Sequence, residues 1–117
     1  VLGDMLELGV LADREHERMG ELVAARPFDV LVTVGEMGER LADGARRAGM
    51  PTERVHVFAT APEAGRFLQD LIRSGDVILV KGSQGMRMER VVKELMEDPL
   101  HAKEILCRQD DEWLTRA

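Results

Sequence analysis

The chain carries a single cysteine, Cys107, which excludes an internal disulfide and any zinc centre built on several thiolates. Tyrosine is absent and aromatics make up 3% of the residues, so a base-stacking platform for nucleic acid has no material. Basic residues are outnumbered, 16 against 22 acidic ones, for a formal net charge of −6. A phosphate-neutralising face needs the opposite balance, so no nucleic-acid partner is expected. No apolar run approaches the roughly 18 residues of a membrane span, and no signal peptide is visible. The phosphate-loop order G-x-x-x-x-G-K-[ST] is missing throughout, and Gly3 is followed only by Gly9 where a dinucleotide fingerprint would need G-x-G-x-x-G. The three histidines share no metal-ligand spacing. These absences lead to the expectation of a soluble, cytoplasmic domain without a metal site of its own.

What is present is an ordinary globular composition, with 117 residues, 44% apolar and 32% charged. That length is about one domain, and folding would bury roughly 65% of the surface that the unfolded chain exposes. The opening Val1-Leu2-Gly3-Asp4 has neither an initiator Met nor a polar lead-in. It reads as the end of a buried strand, and the expectation is a domain cut from a larger protein, its first strand truncated.

Four short apolar runs alternate with amphipathic stretches: Val1-Leu2-Gly3, Val30 to Val34, Val55 to Phe58 and Val77 to Val80. Continuous rather than alternating apolar runs suit strands covered on both faces, as in a parallel sheet. Between them, Ala64, Phe67, Leu68, Leu71 and Ile72 follow the stripe of a helix packed on a sheet, as do Met88, Val91, Val92, Leu95 and Met96. Met37, Leu41, Ala45 and Ala48 make a narrower stripe, ended by Gly49. His16, Met19, Leu22 and Val23 make another, with Asp13 as the expected N-cap. Thr60 with Glu63 has the capping-box spacing, and Pro62 falls in the first turn. The order β-α-β-α-β-α-β-α predicts an α/β, Rossmann-like open sheet, mainly parallel, with helices on both faces. Residues 98–117 break the pattern after Asp98-Pro99 and read as a helical C-terminal extension, with Ile105-Leu106-Cys107 as an alternative edge strand.

In such sheets ligands bind beyond the carboxyl ends of the strands, near the point where strand order reverses. With the order 3-2-1-4, Asp4 and Lys81 share one crevice. Lys81-Gly82-Ser83-Gln84-Gly85-Met86 pairs a cation with two glycines that admit a close ligand, and Ser83 stands where it could cap the next helix. Residue types alone leave two readings, a carboxylate or phosphate site and a plain glycine turn with a solvated lysine. Asp4 and Glu7, between Gly3 and Gly9, suit a cation or an amine; composition alone favours a structural pairing of Asp4 with Lys81. His16, on an apolar stripe, reads first as a packing residue. Cys107 reads as an inert thiol.

Gly3-Asp4-Met5-Leu6-Glu7-Leu8-Gly9 with His16 downstream, Val32-Thr33-Val34-Gly35, and Val80-Lys81-Gly82-Ser83-Gln84-Gly85-Met86 leading into Met88-Glu89-Arg90-Val91-Val92 together resemble the C-terminal domain of Mur ligases. Within that family the resemblance is strongest to the member that joins D-alanyl-D-alanine to UDP-MurNAc-tripeptide (UDP-N-acetylmuramoyl-tripeptide). It covers residues 1–97 and leaves 98–117 as an extension. It implies a lid and substrate-binding domain of an ATP-dependent carboxylate–amine ligase of peptidoglycan precursor synthesis. ATP and Mg2+ would be held mainly by a central domain, and an N-terminal domain would hold the UDP-sugar; neither is in this chain. Lys81, Gly82 and Ser83 would then contact a carboxylate or phosphate, and Asp4 and Glu7 would line the same crevice. His16, Gln84 and Arg87 are further candidates. The family often has Arg where this chain has Gln84, and an amide cannot make a guanidinium's bidentate contact. The resemblance implies that the fragment alone folds without turning over ATP. The competing readings are a free-standing α/β anion- or nucleotide-binding regulatory module, and a sister Mur or folate ligase domain with another amine substrate.

Overall fold

The computed structural model describes residues 1–107 and 109–115; Arg108, Arg116 and Ala117, part of the expected extension, lie outside the described residues. In chain order the elements are β1 (Leu2–Gly3), α1 (Ala12–Ala24), β2 (Leu31–Val34), α2 (Gly38–Arg47), β3 (Val55–Phe58), α3 (Ala61–Leu71), α4 (Glu89–Leu95), α5 (Ala102–Ile105) and α6 (Asp111–Thr115). Single 3₁₀ turns at Gly9–Leu11, Thr52–Arg54, Gln84–Met86 and Pro99–His101 join several of them. No described helix is long and apolar enough to cross a membrane.

The sheet has the order β1-β2-β3, parallel throughout. Lys81 adds one isolated parallel bridge to Leu2 on the outer side of β1, so in space the strand ends follow the expected sequence 3-2-1 and then the Lys81 segment. All four residues of β2 are buried. Alternation along the strand sends Leu31 to one face and Val32 and Val34 to the other. Leu31 and Val55 pack with Val23 of α1 and Leu41, Ala42 and Ala45 of α2. Val32 and Val34 pack with Ala61, Ala64 and Leu68 of α3, and with Met88 and Val91. An α/β sheet covered by helices on both faces is thus the fold, as the continuous apolar runs predict.

Helices α1 and α2 touch backbone to backbone. A β-carbon at Gly20 would lie 2.7 Å from the Ala45 nitrogen, and one at Gly44 would lie 2.8 Å from the Glu17 carbonyl carbon. The glycines let the two helices cover the sheet as one closely joined layer. Helix α2 stops at Gly49, whose φ of 102° suits only glycine, and the Met50 N–H returns to the Ala45 carbonyl at 3.0 Å. Helix α3 starts as its sequence predicts, with the Thr60 N–H donating to Glu63 Oε2 at 3.1 Å.

Three expectations are corrected. Asp13 does not cap α1: the Gly9–Leu11 turn runs straight into it, so the helix begins at Ala12 and Asp13 sits in its first turn. Its charge still complements the helix dipole there. Val77 to Val80 is not a buried strand. Val77 is 98% exposed and Leu79 55%, because β1 offers only Leu2 and Gly3 for pairing. The contact reduces to the bonds Lys81 N–H to Val1 O (3.0 Å) and Gly3 N–H to Lys81 O (2.7 Å), with the Val1 amine on Leu79 O. Ile105 ends helix α5 and is followed by a bend, so the extension, where described, is helical and forms no edge strand.

Candidate functional site

Parallel strands deliver Asp4, Gly35, Thr60 and Lys81 to the same end of the sheet. There the residues Asp4, Met5 and Leu6 are each committed to a different neighbour. Asp4 Oδ1 accepts the Met37 N–H at 3.1 Å, tying β1 to the turn before α2. The Met5 N–H donates to His16 Nε2 at 2.9 Å, tying the loop to α1. The Leu6 N–H donates to Ser83 Oγ at 2.9 Å, and the Ser83 N–H returns to the Asp4 carbonyl at 3.1 Å. The two motif segments therefore form one unit.

Asp4 is buried, with 6% of its surface exposed. Burial raises its pKa above the usual aspartate value, against the opposing pull of the Met37 and Glu36 amides. Its carboxylate is spent on the Gly35–Met37 turn. No ion pair between Asp4 and Lys81 exists among the described residues, so the structural pairing that composition favours is absent. His16 is fully buried. Its Nδ1 lies 2.7 Å from the Ala12 carbonyl, an acceptor only, while Nε2 accepts from Met5, so the ring is neutral with its proton on Nδ1. It is a structural residue of the loop, in keeping with its place on an apolar stripe.

Lys81 is exposed beside this unit, its backbone bridged to Leu2. Gly82 permits that closeness: a β-carbon there would stand 3.1 Å from the Gly3 Cα and 2.8 Å from Met88 Cγ. Ser83 does not cap a long helix. It precedes the 3₁₀ turn Gln84–Met86, and α4 begins only at Glu89. The first amides of such a turn, those of Gln84 and Gly85, have no partner within it. The Ser83 hydroxyl accepts from Leu6 and keeps its own proton to donate. Glu7 is exposed on the facing loop, held at φ 64°, a left-handed backbone uncommon for a residue with a β-carbon. Gln84 is exposed as well. The Lys81 segment carries an ammonium, a hydroxyl and two turn amides, and the loop that Leu6 joins to it carries the Glu7 carboxylate. The ammonium and hydroxyl suit an anionic group.

Arg87 lies elsewhere. It is 3% exposed, its Nε donates to Glu89 Oε1 and its Nη1 to the Trp113 carbonyl. It faces the C-terminal extension and not the crevice. No group of three or more His, Cys, Asp or Glu among the described residues converges to hold a metal ion. The fit for Mg2+ is therefore poor, and the fit for a nucleotide is limited to what Lys81 and the turn amides can offer.

Sequence reasoning missed Leu6, whose amide joins the two motifs, and Met88, which fills the space beneath Gly3 and Gly82. The paired glycines were the available signal for the second; no side chain signals the first.

Comparison with known proteins gives a consistent picture. The family model "Mur ligase, glutamate ligase domain" matches residues 1–84. The UDP-N-acetylmuramoyl-tripeptide–D-alanyl-D-alanine ligase of Bacillus subtilis is 36% identical over 100 residues, covering 86% of this chain and 22% of that protein. The Escherichia coli protein of the same name is 31% identical over 110 residues, 84% of this chain and 21% of that one. A crystal structure of MurF from Acinetobacter baumannii superposes with a TM-score of 0.70 at 33% identity, covering 84% of this chain and 22% of that one. The chain thus spans about a fifth of the length of the relatives it matches.

Proposed function

The chain belongs to the Mur ligase family through its glutamate ligase domain, and from that premise we propose that it is the substrate-binding and lid domain of an ATP-dependent ligase. That ligase joins D-alanyl-D-alanine to UDP-MurNAc-tripeptide in cytoplasmic peptidoglycan precursor synthesis. The observation that carries the reading is the joint between the two motif segments. Leu6 N–H to Ser83 Oγ at 2.9 Å and Ser83 N–H to Asp4 O at 3.1 Å join the loop that carries exposed Glu7 to the segment that carries exposed Lys81. An ammonium there complements a dipeptide carboxylate or a nucleotide phosphate, and Glu7 complements the dipeptide's amine.

The chemistry divides accordingly. ATP and Mg2+ would convert the tripeptide carboxylate into an acyl phosphate on parts of the enzyme that carry a phosphate loop and acidic metal ligands. This chain has no such loop in its sequence and no cluster of acidic metal ligands among its described residues. Its own contribution is to bind, orient and exclude water, which accelerates amide formation by placing the amine against the activated carboxyl. Of the sequence candidates, Lys81, Gly82, Ser83 and Glu7 are given ligand-facing roles, with Gln84 at the margin; Asp4 and His16 hold the loop.

The test is Lys81→Ala in the full-length ligase, measured by steady-state kinetics for both D-alanyl-D-alanine and ATP. A rise of about tenfold in the KM of one substrate is expected. Unchanged values for both would remove Lys81 from the site. The isolated chain should show no ATP hydrolysis; turnover would overturn the division of labour.

A further inference from the structure

The family match ends at residue 84, just before a buried cation that the proposed reaction does not use. Arg87 ends the Gln84–Met86 turn: its N–H closes the turn on the Gln84 carbonyl at 3.1 Å, and its own carbonyl accepts the Arg90 N–H at 3.0 Å to begin α4. Between these bonds its backbone is left-handed, with φ 52°, a conformation disfavoured for any residue with a β-carbon. Glycine would hold it more easily, so the side chain has a reason to be there.

That reason is visible in its partners. The guanidinium pairs with Glu89, donates to the carbonyl of Trp113 in α6, and lies 5.6 Å from the centre of the Trp113 ring. A buried charge is tolerated only when fully engaged, and a guanidinium can use its edge for hydrogen bonds and its face for stacking at once. Glu89 is local; Trp113 is 26 residues away. The next residue, Met88, is buried with its side chain beneath Gly3 and Gly82. Arg87 and Met88 therefore fasten the turn to two separate bodies, the C-terminal extension and the strand ends.

We infer that Arg87 is a positioning residue and that helix α6 of the C-terminal extension is a strap which, by gripping it through Trp113, sets the turn that follows Lys81 and Ser83. The inference rests on the proposed function only in giving that turn a ligand to meet; the strap itself is independent of it. The extension is thus part of the site's framework without touching a substrate.

Two measurements separate the strap from the site. The only tryptophan is Trp113 and there is no tyrosine, so emission from the 117-residue chain excited at the indole band reports on the surroundings of Trp113 alone. Arg87→Gly relieves the left-handed backbone while releasing the grip. It should red-shift that emission and speed amide exchange at Met86 and residue 87 about tenfold, leaving β2 amides unchanged. Trp113→Ala, which spares Arg87 and Glu89, should give the same local exchange pattern and guards against a misfolded glycine variant. In the full-length ligase both variants should raise the KM of the substrate that Lys81 serves about fivefold, with kcat within about twofold. Turn amides that exchange as slowly in both variants as in the parent overturn the strap. Faster exchange in a ligase whose Lys81→Ala variant is kinetically normal keeps the strap and removes the proposed site instead.

Discussion

Gly35 lies directly against the carboxylate of Asp4: a β-carbon at residue 35 would stand 2.5 Å from both Cγ and Oδ1 of that side chain. The φ of 115° at Gly35 turns the chain so that the amide of Met37 points at the same carboxylate. The first strand and the turn after the second are thereby fastened by one buried acid. Its role is architectural.

Asp4→Asn keeps a carbonyl to accept from Met37 and removes the desolvated charge, so its stability at pH 7 should stay within about 1 kcal/mol of the parent. Asp4→Ala strands the amide and should lose about 1–3 kcal/mol. Because burial raises the Asp4 pKa above the ordinary aspartate value, the folded state holds the proton more tightly than the unfolded one. Its contribution is full below that value and is lost as pH rises through the folded pKa. Urea midpoints measured from pH 3 upward should show this decline in the parent and not in Asp4→Asn. Identical pH profiles would assign the decline to another group.

The neutral His16 ring predicts a specific spectrum. Nitrogen NMR at neutral pH should show a protonated Nδ1 and an unprotonated Nε2. His16→Ala opens a hole among α1 residues and leaves the Met5 amide without its acceptor, for a loss of about 2–4 kcal/mol. The opposite tautomer, or a variant as stable as the parent, would contradict the bond from Met5.

Gly20 and Gly44 define the separation of α1 and α2. Either Gly→Ala change gains helix propensity worth up to about 1 kcal/mol, yet drives a methyl into the facing backbone. Overpacking should win, with a net loss of about 2–3 kcal/mol for each in thermal or chemical denaturation. A stabilised variant would show that the helices can separate freely.

Thr33 is buried in the middle of β2, and its hydroxyl has no hydrogen-bond partner among the described residues. Thr33→Val removes that unpaired group at nearly constant shape and should raise stability by about 1 kcal/mol. A loss of stability would mean that the hydroxyl finds a partner in solution, for which a bound water is the candidate.

The alternation of β-branched runs with 3.6-residue stripes made the parallel order and both helical layers legible, and the Thr60–Glu63 spacing placed the start of α3. These signals are local: each depends on side chains within two or three turns of one another. The committed partners of Asp4 and Ser83 are backbone amides 33 and 77 residues away in sequence, and no spacing rule encodes such a bond. Hence the motif positions are legible in the sequence while the partners of Asp4 and Ser83 are not. The same holds for Arg87, whose motif context suggested a ligand while its partner sits in α6. Val77 to Val80 failed for another reason: its composition is that of a strand, but strand formation needs a neighbour long enough to pair with.

That last segment has a consequence for handling the molecule. Val77 and Ile78 present main-chain donors and acceptors that find no partner among the described residues, flanked by greasy side chains, and among those residues neither a proline nor a bulge blunts the border. Borders of this kind template intermolecular β-ribbons. The 117-residue chain should therefore turn cloudy or form dimers as its concentration rises, and a lysine at position 78 should keep it monodisperse.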